Sequence, residues 1–429
     1  MGTWSVSSPA DTARDWARSG VLPLTGHRSG PPLLPPGNAA SWAARMADHI
    51  AEATRGSRHP VRIDGPRLLA ERAALTGGAR QGVVSVAGSC RLLRIADGWA
   101  AVSVARPDDP ALWSALIGHE LDEQFPVRLT AWLAEHTGDE LDERAELLGL
   151  AGAAVRSWPK VSGGTSAATG GSAGARPPRP GRPRSAEGQL VVDFSALWAG
   201  PLCAHLLGLA GAKVVKVETP DRPDGTRRGN PEFYDLLHGG HRSVVLDPSE
   251  PAGRAALHAL VRRADIVIEA SRPRALARFG LNAAAQAERG CVWVSITAAG
   301  RSSQRVGFGD DVAAAAGLLA RDDQDLPVFC GDAIADPLTG LTAAALALSE
   351  PEGGGALWDV SMTDVVTATL VDGVAEGTLL KHMADGWVVD TGDARLAVEP
   401  PVARRPSTGA SAMGTDTSAV LSQLGIPVP

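Results

Sequence analysis

The sequence has no excess of positive charge, no apolar run long enough to cross a bilayer and no paired cysteines, and each absence removes a class of function. Its 41 Lys and Arg stand against 48 Asp and Glu, a net charge of -7. Nucleic acid and acidic membrane surfaces are usually met by basic patches, so neither is expected as a partner. The longest apolar stretch, the Ala-Leu-rich one after Leu341, falls well short of the ~20 residues that span a membrane. The opening MGTWSVSSPADTARDWARSG alternates polar and apolar residues and lacks the apolar core of a secretory signal. Cys90, Cys203, Cys291 and Cys330 form no C-x-x-C pair and have no histidine at metal spacing. They read as reduced, buried thiols of a cytoplasmic protein, with no metal site; Cys330 alone lies near candidate chemistry. The dinucleotide fingerprint is missing too. A strand, a helix and a second strand ending on Glu218 suggest it, but Gly200 and Gly208 are the only glycines between Ser195 and Leu209, without G-x-G-x-x-G spacing. NAD or FAD is not expected.

What is present is a chain of 429 residues, 44% hydrophobic, enough for about two or three globular domains. From Val161 to Gly188, Gly, Ser, Ala, Pro and Arg replace all hydrophobic periodicity, which reads as a linker between residues 1–160 and the rest. Its arginines Arg176, Arg179, Arg182 and Arg184 alternate with prolines and read as a solvated tether. Beyond it, QLVVDFS, KVVKVE, SVVLD, DIVIEA and CVWVSIT alternate with helical patterns, so residues 189–381 are expected to form an α/β domain on a parallel sheet. The unbroken apolar character of these runs implies burial on both faces. Helices are expected at Ala199–Ala212, Pro251–Arg263, Asp311–Ala320 and Pro337–Leu348, then a strand ALWDVSM and a helix through Leu370. Residues 382–429 read as strand pieces and a terminal helix. In the first third, helices around Trp42–Ala53 and Leu68–Leu75 precede a hairpin in CRLLRIADGWAAVSVA, whose Asp97-Gly98 supplies the turn. With helices around Leu112 and Leu129–Ala134 it reads as a small α+β domain.

The segments VVDFSALWAGPLCAHLLGLAGAKVVKVETP, GHRSVVLD, ADIVIEASRPRALARFGL, CVWVSITAAG and DAIADPLTGLTAAALAL stand in the order and spacing of the CaiB/BaiF, or family III, CoA-transferases, which this region resembles from Gln189 to about Leu370. RLLRIADGWAAVSVARPDDPALW resembles the family's small domain and TDTSAVLSQLGI its C-terminal helix, so the order of parts looks permuted. DWARSGVLPLTGHRSGPPLLPPG, from Asp15, echoes the stretch before the family's catalytic aspartate, but no aspartate stands at the matching point. The resemblance implies a large domain with a Rossmann-like parallel sheet plus a small α+β domain, an interlocked homodimer, acyl-CoA and a carboxylic acid acceptor as substrates, and no permanently bound cofactor.

It also implies a site. Asp336, in AIADPLTGL, matches the family's nucleophilic aspartate, which attacks an acyl-CoA thioester and passes through anhydride and aspartyl-CoA stages. By its own residues Asp336-Pro337 is equally a helix start, with aspartate as cap and proline at the first helical position. Asp310 and Asp311, in GFGDDVAAAAG, fall where the family's racemases carry G-H-D, Asp310 replacing the acid/base histidine; two acids in a first helical turn also complement the helix dipole. For CoA, Arg242 and Arg278 fall where the family places basic residues, Arg272 and Arg274 add charge nearby and Ser271 is a further candidate contact; arginine suits phosphate through paired, charge-assisted hydrogen bonds, and a solvated surface is the alternative for each. Trp198 and Ala199, on the turn after the first strand, sit beside the implied site, where the tryptophan would stack on adenine, shape the acyl pocket or fill core. EASRPR replaces the family's usual E-N-F-R-P-G and TAAG its S-G-F-G, leaving a CoA-ester isomerase, racemase or lyase and a non-catalytic acyl-CoA-binding homologue as alternatives.

Overall fold

The structure, a computed structural model, describes residues 7–156, 177–271, 273–371 and 373–429. Most of the expected linker, residues 161–176 with Arg176, and also Arg272 lie outside the described residues. Residues 177–188 lie along the large domain: the Arg184 N–H donates to the Leu348 carbonyl at 2.8 Å and Ala186 is fully buried.

Strands β1 (Cys90–Ile95) and β2 (Gly98–Ser103) form the hairpin, Ile95 opposite Gly98, and β3 (Gly152–Ala154) pairs antiparallel with β2. Helices Asp109–Ile117, Phe125–Glu135 and Gly138–Leu148 pack with this sheet around Trp113, Leu133 and Leu141. The third helix is absent from the sequence reading because GDELDERAELL is mostly charged. Its ends are nonetheless well specified: Thr137 and Glu140 form a capping box, and Gly149 closes it in a left-handed conformation.

The large domain holds β4 (Leu190–Asp193), β5 (Lys213–Glu218), β6 (Arg242–Val245), β7 (Ile266–Glu269), β8 (Val292–Thr297), a short hairpin β9 (Leu319–Arg321) and β10 (Pro327–Phe329), and β11 (Ala356–Ser361). Six of them form one sheet in the order β11-β8-β7-β4-β5-β6, every neighbouring pair parallel. Val191, Val192, Ile266, Ile268, Val292 and Val294 are fully buried, as strands covered on both faces require. The chain winds outward from β4 in one direction and from β7 in the other. The strand order therefore reverses between β4 and β7, which opens a crevice at their carboxyl ends. Several boundaries moved: the helix expected over Asp311–Ala320 is Gly309–Ala316, ended by Gly317 at φ 99°, with Leu319 and Ala320 in a strand, and those expected at Ala199–Ala212 and Pro337–Leu348 are Ala199–Leu209 and Ala335–Ala347.

Helix Ala335–Ala347 crosses helix Ala199–Leu209 so closely that a methyl group on Gly340 would stand 2.6 Å from the Ala199 carbonyl oxygen. Helix Ala39–Thr54 covers the same long helix, and the Trp42 indole N–H donates to Thr342 Oγ1 at 2.9 Å. Trp16, Trp42, Met46 and Ile50 share one core with Val191, Leu202 and Leu338. Residues 13–86 thus pack into the large domain, and the small unit occupies 90–154 inside the N-terminal region read as residues 1–160. After residue 378, β12 (Leu379–Met383), β13 (Gly386–Asp390) and β14 (Arg395–Ala397) form an antiparallel sheet. Helix Thr417–Gln423 closes the β6 edge, where Asp416 and Thr417 accept the Ser243 and Val245 N–H groups at 2.9 and 3.0 Å.

Candidate active site

The crevice at the strand-order reversal is a cavity of about 350 Å³. Its walls come from the turn after β4 (Ala196, Leu197, Ala199), the turn after β7 (Ala270, Ser271), the end of β8 and the loop Ser303–Phe308, with Asp336 below.

The β4 turn is held from beneath by buried charge. Lys216 Nζ donates to the Ser195 carbonyl at 2.8 Å and pairs with Asp224 at 2.9 Å, while Asp224 Oδ1 accepts the Leu197 N–H at 3.1 Å. Leu197 is pinned at φ 70°, which a β-carbon ordinarily avoids. Its strain is tolerated because the neighbouring hydrogen bonds over-determine the turn.

Asp336 is the second residue of helix Ala335–Ala347, so the capping geometry read from the sequence is displaced by two positions: Ile334 occupies the cap, where no side-chain bond forms. The Asp336 carboxylate keeps part of its surface open to the cavity. Gly309 fits against it. A methyl group at 309 would stand 2.3 Å from the Ala333 carbonyl and 2.5 Å from Asp336 Oδ2, and the Gly309 N–H faces the carboxylate. Burial pushes the Asp336 carboxyl up to about 7; Arg72 pulls it down, and Asp310 and Asp311 push it up.

Arg72 is a residue that sequence reasoning missed, as it missed the cavity-lining Arg106, Arg222 and Arg305. It donates to both oxygens of Asp332 at 2.5 and 2.8 Å, and its guanidinium lies 4.8 Å from the centre of the Trp198 ring. It arrives from helix Glu71–Thr76, hundreds of residues from Asp336, and no local pattern announces it. Asp310 is buried, its Oδ1 accepting the Ala333 N–H at 2.9 Å, and burial with the Asp332 charge pushes it up to about 7. Asp311 is fully buried and pushed up by burial to about 6, although its Oδ1 accepts the Ser103 hydroxyl at 2.8 Å and the Phe308 N–H at 3.0 Å.

The structure therefore brings Asp336, Ala199, Ser271 and Arg278 to one cavity and sets Asp310 and Asp311 behind it. Trp198 does not line it; the ring is buried edge-on to Phe233 at 5.2 Å and braces Arg72. Arg242 lies elsewhere, at the β6 edge, donating to Gln423 Oε1 at 2.6 Å near Asp416. Cys330, like the other three cysteines, is buried and unpaired, and burial pushes its thiol up. The remaining charged lining groups are Arg106, Arg222, Arg274, Arg278 and Arg305. Arg106 is committed to Asp109 at 2.6 Å; among the described residues the other four form no ion pair. No cluster of His, Cys, Asp and Glu among the described residues has the arrangement of a metal site.

The profile of CoA-transferase family III matches residues 187–400, and the chain belongs to that family. It is similar to the succinate–glutarate CoA-transferase of Agrobacterium fabrum, 31% identical over 218 residues, covering 45% of this chain and 54% of the relative. It is also similar to the succinyl-CoA–D-citramalate CoA-transferase of Chloroflexus aurantiacus, 28% identical over 229 residues, 49% and 56% of the two chains. The chain thus spans about half the length of the curated relatives it matches. A CAIB/BAIF family protein from Brucella suis aligns with a TM-score of 0.42 at 24% identity, over 48% of this chain and 66% of that one.

Proposed function

We propose that the protein is an acyl-CoA:carboxylate CoA-transferase with Asp336 as nucleophile. The observation that carries this is Asp336 itself: among the described residues it is the only carboxylate lining a cavity whose other charged groups are all arginines. Such a site draws in polyanions and leaves one carboxylate facing the bound thioester.

In the reaction Asp336 attacks the thioester carbonyl, the C–S bond breaks, and CoA thiolate leaves an anhydride between Asp336 and the acyl group. The thiolate then attacks the Asp336 carbonyl and releases the donor acid, forming an aspartyl-CoA thioester. An acceptor carboxylate displaces CoA to give a second anhydride, and the thiolate attacks its acceptor carbonyl, which releases the new acyl-CoA and restores Asp336. The Gly309 N–H beside the carboxylate is placed to hold charge that develops on its oxygens. Arg278, Arg274 and Arg222 supply free cations for the phosphates of CoA. The proton-transfer alternative is less well supported, because Asp310 is turned toward Ala333 and is not in the cavity wall.

Asp336→Asn tests the assignment. The amide keeps the helix start and removes the nucleophile, so CoA exchange between a panel of acyl-CoAs and free acids should collapse while CoA affinity survives. Hydroxylamine should trap an adduct at Asp336 in the wild type alone; a variant exchanging CoA at the wild-type rate refutes the mechanism. A homodimer in the cytoplasm completes this reading, and a stable, active monomer in sedimentation would count against the dimer.

A further inference from the structure

A second cavity, of about 540 Å³, shares no lining residue with the crevice above Asp336. Arg72 and Asp332 form part of its wall, together with Arg28, Gly77, Gly78 and Val86. The wall is braced. Arg80 donates to the carbonyls of Pro23, His27 and Gly30 at 3.0, 2.9 and 2.6 Å, and the Gly82 N–H donates to the Gly26 carbonyl at 3.0 Å. The loop that carries Arg28 is thereby fastened to the stretch that follows helix Glu71–Thr76. His27, on the same loop, is bonded to Asp322 at 2.8 Å. Arg28 itself is exposed and forms neither an ion pair nor a hydrogen bond among the described residues.

Arg72 gives one edge to Asp332 and keeps another open. Its Nε and Nη2 donate to the Asp332 carboxylate, its Nη1 has no hydrogen-bond partner among the described residues, and 23% of its side-chain surface stays accessible. Among the described residues the lining therefore holds two cations and one carboxylate, and that carboxylate is already bonded to Arg72. A concave surface with an excess of positive charge, in a chain of net charge -7, concentrates anions. Two guanidinium groups on a fixed frame match an oxyanion through charge-assisted hydrogen bonds. The glycines and Val86 leave room beside it for a small organic body.

We propose that this cavity is a second binding site, for a small phosphate- or carboxylate-bearing molecule held between Arg28 and Arg72, and that its occupant restrains Asp336 through Arg72. Asp310, Asp332 and Asp336 all act on the Arg72 charge. An oxyanion at Nη1 adds a fourth negative partner to the one cation that they share, so Asp336 holds its proton more firmly and fewer molecules carry the nucleophile. The restraint rests on the CoA-transfer reading above; the binding does not. Inorganic sulfate, fully ionised at neutral pH, is titrated calorimetrically into protein loaded with CoA, which occupies the arginines of the first cavity. Wild type should bind sulfate, Arg28→Gln should bind it about 10-fold more weakly or worse, as loss of a hydrogen bond to a charged group predicts, and Arg278→Gln should match wild type. Equal affinity in wild type and Arg28→Gln, no binding to either, or a loss confined to Arg278→Gln overturns the site. Circular dichroism checks that Arg28→Gln is folded. Methyl phosphate and acetate, titrated in the same way, tell a phosphate ester from a carboxylate as the head group: the one that binds tighter to wild type and weakens in Arg28→Gln is the match. At saturating acyl-CoA, sulfate should slow CoA exchange by wild type about 5-fold or more and leave Arg28→Gln at its own sulfate-free rate. Inhibition that acyl-CoA relieves, or that is equal in Arg28→Gln, overturns the coupling. A wild type that exchanges no CoA refutes the transfer reading alone, and the sulfate titration still decides the site.

Discussion

Asp310, Asp332 and Asp336 crowd around the single cation Arg72, and at neutral pH they cannot all ionise without cost. Asp332, bonded through both oxygens, takes most of the cation, which leaves Asp310 and Asp336 to share what remains. Both are raised to about 7, and their titration belongs to the pair. The nucleophile must be ionised, so adduct formation should rise with pH through a midpoint near 7. Asp310→Asn removes a negative neighbour and should move that midpoint toward acid; a midpoint already at an ordinary carboxylate value, unmoved by the substitution, would refute the coupling. Stability runs in the opposite sense. An unfolded aspartate titrates at about 3.9, so between roughly pH 4 and 7 Asp310 and Asp336 hold more protons in the folded chain than in the unfolded one, while His205, His238 and His241, held neutral by burial, act in the opposite sense. The contribution of the two aspartates to stability should fall as pH rises through that window. Urea unfolding at several pH values checks this, and the slope should be shallower in Asp310→Asn.

At the scale of elements, the strands of the large sheet were legible because their apolar runs are continuous and bounded by turn residues. LVVD, KVVKVE, IVIE and VWVSIT are where the pattern put them. Helix Pro251–Arg263 matches to the residue, since Pro251 marks its start and Arg262 and Arg263 its end. Helix Pro231–His238 went unread because its apolar face, Phe233, Leu236 and Leu237, is too short for a period to show. Asp336, Ala199, Ser271 and Arg278 could be nominated from motif order because each lies on a turn that follows a strand of the sheet or at the start of a helix. Trp198 and Arg242 were nominated on the same grounds and lie outside the cavity wall: sequence places a residue on a turn but does not say which way the side chain leaves it. Arg72 and Arg305 were beyond reach, since their relation to Asp336 exists only after distant segments have packed.

For the molecule as a whole, the family region beginning at residue 187 is not a self-sufficient unit. It relies on residues 13–86 to cover helix Ala335–Ala347 with Trp42, Met46 and Ile50 and to supply Arg72. A chain of residues 187–429 alone would expose that buried face and leave Asp332 an unpaired buried carboxylate, which is strongly destabilising. We expect it to be insoluble or to lack a cooperative thermal transition; a soluble fragment with native near-ultraviolet circular dichroism would refute this. The Ser103–Asp311 hydrogen bond carries a consequence of another kind. It bolts the small unit to the helix that presents Gly309 to Asp336, and Glu146 bolts the same unit to the loop that bears Arg305. Any rocking of the small unit pulls on both fastenings together. The lip that bears Arg305 and the helix that packs Gly309 on the Asp336 carboxylate therefore share one anchor, the small unit.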